Sequence, residues 1–223
     1  MYVRLMRRQD VMQVSQIDRE AFPTEWPPTN FVRELENRLA YYIVACEEAS
    51  ATPEPDTKSV LSKNTNHLID RLKGWLVPGN SRRNKSPTEN EEPVLGYAGM
   101  WILADEAHIT SIASRQENRR QGIGEALLIA LIELAARHKA RIVTLEVRLS
   151  NIMAQNLYLK YGFQKTGMRK GYYLDNKEDA IIMSTEYIGS NSFREHLRQL
   201  QKAHTRRWGP TRYEIETQNV KLG

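Results

Sequence analysis

One short stretch constrains this chain more than any other: a strand, a glycine turn and a helix in immediate succession. Ala107 to Ala113 has strand character, and Arg119-Arg120-Gln121-Gly122-Ile123-Gly124 follows as a turn. Ile123, Ala126, Leu127, Ala130, Leu131 and Leu134 then recur at i, i+3, i+4, i+7, i+8 and i+11. That spacing is the apolar stripe of an amphipathic helix, which must bury one face. A strand leading into such a helix needs a sheet for the helix to cover, so the unit commits the body to an α/β architecture. The turn also has chemistry of its own. The first N–H groups of a helix lack internal partners and the helix dipole favours negative charge there, so glycines that bare these amides make an anion site. Arg119 and Arg120 add positive charge. The turn lacks the third glycine and distant acid of a Rossmann fingerprint, and it lacks the Gly-Lys-Ser/Thr of a Walker loop. Any phosphates it holds therefore belong to another carrier; a helix start with no ligand is the competing account.

Around this unit, strand and helix signals alternate. Val3 to Met6 has strand character, Asp10 caps a helix to about Ala21, and Thr29 or Asn30 caps a second to about Leu39. Tyr41 to Cys46 is a strand, and Val94 to Ile102 and Ala107 to Ala113 form a hairpin at Asp105-Glu106, which predicts an antiparallel centre. Ile142 to Arg148 is a strand, and Asn151 caps a helix to about Tyr161 that Gly162 stops. Phe163 to Lys170 and Ala180 to Tyr187 are the last two strands. The expected fold is α/β, a mixed, mainly antiparallel twisted sheet of about seven strands with about four helices.

At 223 residues the chain exceeds the roughly 150 of a typical single domain, and the surplus has an address. Five of the nine prolines lie between Glu47 and Pro93 among Ser, Thr, Asn and Glu, which marks 47–93 as an insertion in a body spanning 1–187. Within it, Leu68, Leu72, Trp75 and Leu76 predict one short amphipathic helix. The segment 188–223 carries seven basic residues against three acids, +4 of the formal net charge of +5. Phe193, Leu197 and Leu200 at i, i+4 and i+7 make it a basic amphipathic tail. It is open to three readings: a solvated helix, a nucleic-acid contact, or a self-association element.

The single cysteine, Cys46, excludes an intramolecular disulfide framework and a cysteine zinc site. His67, His108, His138, His196 and His204 show no ligand spacing, so no metal is expected. The longest apolar run, Ala98 to Ala104, falls far short of the roughly 20 residues of a membrane span. Met1 to Arg8 carries charge with no apolar core behind it, so no secretory signal is expected and the chain is taken to be cytoplasmic.

Four motifs in order give the chain a recognisable pattern. Arg119-x-x-Gly122-x-Gly124 is followed by Leu145-Glu146-Val147-Arg148-x-Ser150-Asn151, by Ala154-x-x-Leu157-Tyr158 and by Tyr161-Gly162-Phe163. Together they resemble the Gcn5-related N-acetyltransferase (GNAT) superfamily. Ala21-Phe22-Pro23-x-x-Trp26, Arg169-x-Gly171-Tyr172-Tyr173 and Glu178 to Met183 further resemble the bacterial ribosomal-protein alanine N-acetyltransferases of the Rim type. The resemblance covers roughly 2–46 and 94–187, leaving out the insertion and the tail.

The resemblance implies acetyl-CoA as cosubstrate, in a cleft where two central strands splay. Ile112, Ala113 and Ser114 would supply the strand edge for the pantetheine, and Arg119, Arg120, Gln121, Gly122, Ile123, Gly124 and Glu125 the phosphate turn. Asn151 would face the cofactor, although an N-cap role alone also accounts for it. The pattern makes Glu146 the general base and Tyr158 the general acid. Alternation along Ile142 to Arg148 puts Glu146 on the face opposite Val143, Leu145 and Val147, where a salt bridge to Arg148 or a neighbour is the rival account. For Tyr158 the rival is core packing. The implied acceptor is an N-terminal peptide, with the Phe22-Pro23 to Trp26 loop and Tyr172-Tyr173 around it, and the family's usual target is the N-terminal alanine of a small-subunit ribosomal protein. The alternatives are a lysine or small-amine acetyltransferase on the same scaffold and a non-catalytic acyl-CoA-binding regulatory module.

Overall fold

The computed structural model describes residues 1–24, 27–48 and 92–215. The helix expected at Leu68 to Leu76, and Trp26, lie outside the described residues. The described chain runs β1 (Tyr2–Leu5), α1 (Val11–Ala21), α2 (Phe31–Glu36), β2 (Ala40–Cys46), β3 (Val94–Leu103), β4 (Glu106–Ser114), α3 (Ile123–Arg137), β5 (Ile142–Arg148), α4 (Ile152–Lys160), β6 (Phe163–Tyr173), β7 (Glu178–Thr185), α5 (Asn191–Trp208) and β8 (Arg212–Glu214). One sheet holds all the strands in the order β6-β7-β5-β4-β3-β2-β1-β8. Its pairs are antiparallel except β4 with β5 and β1 with β8.

Both faces of the sheet are covered, and the strand period shows why. In β2, Ile43 and Ala45 join the core beneath α3, while Tyr42, Val44 and Cys46 join a second core that includes Val14 and Ile17 of α1 and Phe31 of α2. Alternate residues of a strand point to opposite faces, so a strand apolar throughout must be sandwiched between helices. The first caps follow local chemistry in part. Asn30 Oδ1 accepts from the Arg33 amide as an N-cap. Asp10 precedes α1 but makes no side-chain cap; its carboxylate accepts instead from Arg4 at 2.7 and 3.0 Å and from the Arg7 amide at 2.7 Å. Arg4 is buried, and a buried guanidinium takes the nearest carboxylate ahead of a helix amide.

The sheet has one strand more, and the body one helix more, than the sequence pattern predicts, because the segment after Ile188 is built into it. Ser190 caps α5, whose Phe193, Leu197 and His204 are buried. Gln201 donates to Glu133 of α3 at 2.7 Å and His196 contacts the Lys160 carbonyl of α4 at 2.9 Å. β8 then pairs with β1 through Tyr2↔Arg212 to Arg4↔Glu214. The apolar stripe of α5 needs a partner surface and β1 would otherwise be a bare edge, so both requirements are met by folding back. The basic residues Arg194, Arg198, Lys202 and Arg206 stay exposed, four residues apart along α5. No helix among the described residues is long and apolar enough to cross a membrane.

Candidate active site

The site begins where two parallel strands part. β4 and β5 pair only from Glu106↔Ile142 to Ile109↔Leu145, although β4 continues to Ser114 and β5 to Arg148. The β3–β4 register shifts at this point, with Met100 opposite Ile109 and Gly99 opposite Ser111, so Thr110 is an extra residue in β4. A bulge bends the strand that carries it. Beyond it Arg115 donates its amide to Leu95 of β3, so by alternation Ala113 faces β3 and the backbone groups of Ile112 and Ser114 face the gap. Those groups are an unpaired edge of the kind an amide-bearing ligand can complete.

The glycine turn lies directly after this edge. Arg120 (φ 60°) and Gly122 (φ 80°) both take the left-handed conformation, which turns the chain sharply into α3 at Ile123. Arg119, Arg120 and Gln121 are exposed, whereas the Ile123 side chain is buried and offers only its backbone N–H. At Gly124 a Cβ would project into open space, leaving room where any other residue would place a side chain. The Glu125 carboxylate is already engaged: it accepts from Tyr161 at 2.7 Å and pairs with Lys160. Against the desolvation of partial burial, these two partners hold its carboxyl below the usual range. Only its amide is left for a ligand.

On the far side of the gap, Glu146 projects from β5 with its side chain 7 % exposed. One oxygen lies 3.0 Å from His108 Nε2 of β4, the other 3.1 Å from an Arg169 nitrogen of β6. Arg148 is not its partner, since its guanidinium pairs with Asp175 and Glu178 and lies 3.9 Å over the Tyr173 ring. His108 Nδ1 is 3.0 Å from Thr144 Oγ1, and Thr144 donates to Glu106 at 2.5 Å. With the Thr144 proton committed to Glu106, Nδ1 must be the donor to Thr144. Nε2, the other ring nitrogen, is therefore the one that faces the Glu146 carboxylate.

Asn151 Oδ1 accepts from the Ala154 amide at 3.1 Å, capping α4 beyond the end of β5. One turn further on, Tyr158 is half-buried, its ring 5.7 Å from Phe163. Burial, and then the neighbouring Tyr173 phenol, push the Tyr158 phenol well above its ordinary range. Its hydroxyl has no hydrogen-bond partner among the described residues. Tyr172 and Tyr173 meet edge to face at 5.2 Å, and Thr24, in the loop after α1, donates to Asp175 in the β6–β7 turn at 2.7 Å. That turn and that loop are thus tied together at the end of β5. Phe22 packs against the second core.

Comparisons with known proteins show the family. The sequence model of the Acetyltransferase (GNAT) family matches residues 52–163. A Bacillus subtilis protein, provisionally named a ribosomal protein bS18-alanine N-acetyltransferase, is 35 % identical over 182 residues, 81 % of this chain and 92 % of that one. The chain belongs to the GNAT family. It is an N-acetyltransferase, and GNAT acetyltransferases use acetyl-CoA. An N-alpha-acetyltransferase of Sulfurisphaera tokodaii is 33 % identical over 183 residues, 82 % of this chain and 90 % of its own. Among solved structures, the ribosomal-protein-S18-alanine N-acetyltransferase of Escherichia coli superposes with a TM-score of 0.57 at 23 % identity, over 83 % of this chain and 92 % of that one, a likeness of fold.

Of the residues picked out in the sequence, the structure brings Glu146 to the gap beside the β4 edge and puts the glycine turn directly after that edge. His108 and Arg169 were not singled out as site residues. A histidine in a strand carries no local signal, and its approach to Glu146 exists only through the β4–β5 register, where His108 pairs with Thr144.

Proposed function

We propose that this chain transfers the acetyl group of acetyl-CoA to the α-amine of a protein N-terminus, and that its substrate is the N-terminal alanine of a small-subunit ribosomal protein. The observation that carries the reading is the nearly buried Glu146 carboxylate, held by His108 and Arg169 at the point where β4 and β5 part. The names of the Bacillus subtilis and Sulfurisphaera tokodaii relatives support an N-terminal acceptor. We assign the cofactor to the Ile112–Ser114 edge, the amides of the turn from Arg119 to Glu125, and Asn151.

Transfer needs a neutral nitrogen, attack on the thioester carbonyl, cleavage of the C–S bond and a place for one proton. Glu146 takes the proton from the amine and His108, 34 % exposed, passes it towards solvent. An α-amine has a pKa of about 7.7–8.0 against about 10.4 for lysine, a gap worth about 3.4 kcal/mol, so a carboxylate base suits an N-terminus better than a lysine. Tyr158 keeps its proton through the neutral range. A thiol's own pKa is about 8.5, so full proton transfer from Tyr158 to the thiolate is uphill. Its part is to donate a hydrogen bond to the sulfur as charge develops there.

The test is incubation with acetyl-CoA and peptides beginning Ala-Arg, with free or blocked N-termini, followed by mass spectrometry. One acetyl group on the free peptide and none on the blocked one is expected. No acetylation, or equal acetylation of the blocked peptide on lysine, overturns the proposal.

A further inference from the structure

α5 meets the phosphate turn from behind at its C-terminal end, through side chains one helical turn apart. His204 is 3 % exposed and its Nε2 lies 3.0 Å from the Gly122 carbonyl oxygen. The Trp208 ring closes over the Gly122 Cα, so that a Cβ there would come within 2.6 Å of it. Nearer its N-terminus the same helix buries Phe193 and Leu197. A helix that merely packs has no use for a buried imidazole further along that face, where an apolar side chain avoids the desolvation cost.

The Gly122 carbonyl already accepts the first intrahelical bond of α3, from Ala126 at 2.9 Å. The His204 bond is a second one to a satisfied acceptor, and its effect is directional. A peptide unit is planar and trans, so holding the Gly122 carbonyl fixes the opposite direction of the Ile123 N–H. That N–H has no helical partner and belongs to the anion site. Gly122, at a left-handed φ of 80°, has no Cβ to restrict its backbone, so the orientation of its carbonyl is left to outside contacts.

We propose that His204 and Trp208 are positioning residues for acetyl-CoA: α5 holds the Gly122–Ile123 peptide in its phosphate-binding orientation. This rests on the assignment of the glycine turn to the cofactor given above. The test uses the full chain with His204→Ala, His204→Gln, Trp208→Ala, Gln201→Ala and Arg119→Ala/Arg120→Ala. The readouts are acetyl-CoA Kd by calorimetry, KM and kcat with an Ala-Arg peptide, and thermal melts to confirm folding. His204→Ala is expected to raise acetyl-CoA Kd and KM about five- to tenfold, the effect of one hydrogen bond, and Trp208→Ala, which removes the ring packed on Gly122, to raise both as well, with kcat and peptide KM within about twofold for each. His204→Gln, which keeps an N–H donor, recovers most of the loss. Gln201→Ala breaks the α5–α3 contact at Glu133 and leaves Kd unchanged.

A His204→Ala Kd within twofold of the parent, or a Gln201→Ala loss as large as that of His204→Ala, overturns the proposal in favour of packing. If the Arg119/Arg120 variant weakens binding while His204→Ala and Trp208→Ala do not, only the positioning role fails. If none of these variants changes Kd, the assignment of the turn to the cofactor fails and the positioning role fails with it.

Discussion

Replacing Glu146 by Gln removes the proposed base while conserving its shape. Neutral Gln presents one oxygen where the carboxylate presents two, so either His108 or Arg169 loses its acceptor. His108 is 34 % and Arg169 54 % exposed, so water screens the loss and the stability cost is about 1 kcal/mol, or roughly 2–4 °C in Tm. The catalytic cost is larger, since general-base catalysis is worth about 10²–10⁴ in rate. Its pH dependence separates the two roles. An α-amine with a pKa of about 7.7–8.0 is roughly 10–17 % neutral at pH 7 and above about 90 % neutral at pH 9. Raising the pH does part of the base's work, so a deficit of about 10²-fold in kcat/KM at pH 7 is expected to shrink by about five- to tenfold at pH 9. Initial rates on an Ala-Arg peptide at saturating acetyl-CoA, with calorimetry to show unchanged acetyl-CoA binding, make the measurement. A deficit equal at the two pH values assigns Glu146 a purely structural role, and unchanged rates remove it from the mechanism.

Tyr158→Phe is expected to lower kcat at least about tenfold with acetyl-CoA Kd unchanged and no loss of Tm, because the hydroxyl has no partner among the described residues to lose; a fall in Tm with normal kcat would make it a packing residue. Asp18, buried against Tyr97, has its carboxyl pushed up by desolvation, over the opposing pull of the Tyr97 hydroxyl. A raised folded pKa contributes stability at low pH that is lost as pH rises through it. Asp18→Asn, which keeps an acceptor for Tyr97, should therefore melt above the parent at pH 8, with the difference closing towards pH 4; a lower Tm at pH 8 refutes this. Burial pushes the Cys46 thiol up to about 11, against the pull of Arg4, so at pH 8 it should react with a disulfide reagent far more slowly folded than unfolded. Equal rates would contradict its burial.

What the sequence determined by itself is what a period or a local hydrogen bond can specify. The α3 stripe, the alternation that turns Glu146 away from Val143, Leu145 and Val147, and the Asn30 and Asn151 caps each involve residues within a few positions of one another, and each is present in the structure. The motif order was legible for the same reason. Contacts between elements were not. That Glu146 meets His108 and Arg169 and not Arg148 depends on the pairing of β4, β5, β7 and β6, and the gap at Ile109↔Leu145 coincides with a single extra residue, Thr110. The segment after Ile188 shows the division most clearly. Its composition determined a basic amphipathic helix, but which surface the apolar stripe would meet was settled only when the outer side of α3 and the open edge of β1 existed to be covered. Burial is a property of the assembled surfaces and has no signature in any one of them. Tertiary structure alone therefore turned a charged tail into a helix whose His204 and Trp208 rest on the phosphate turn.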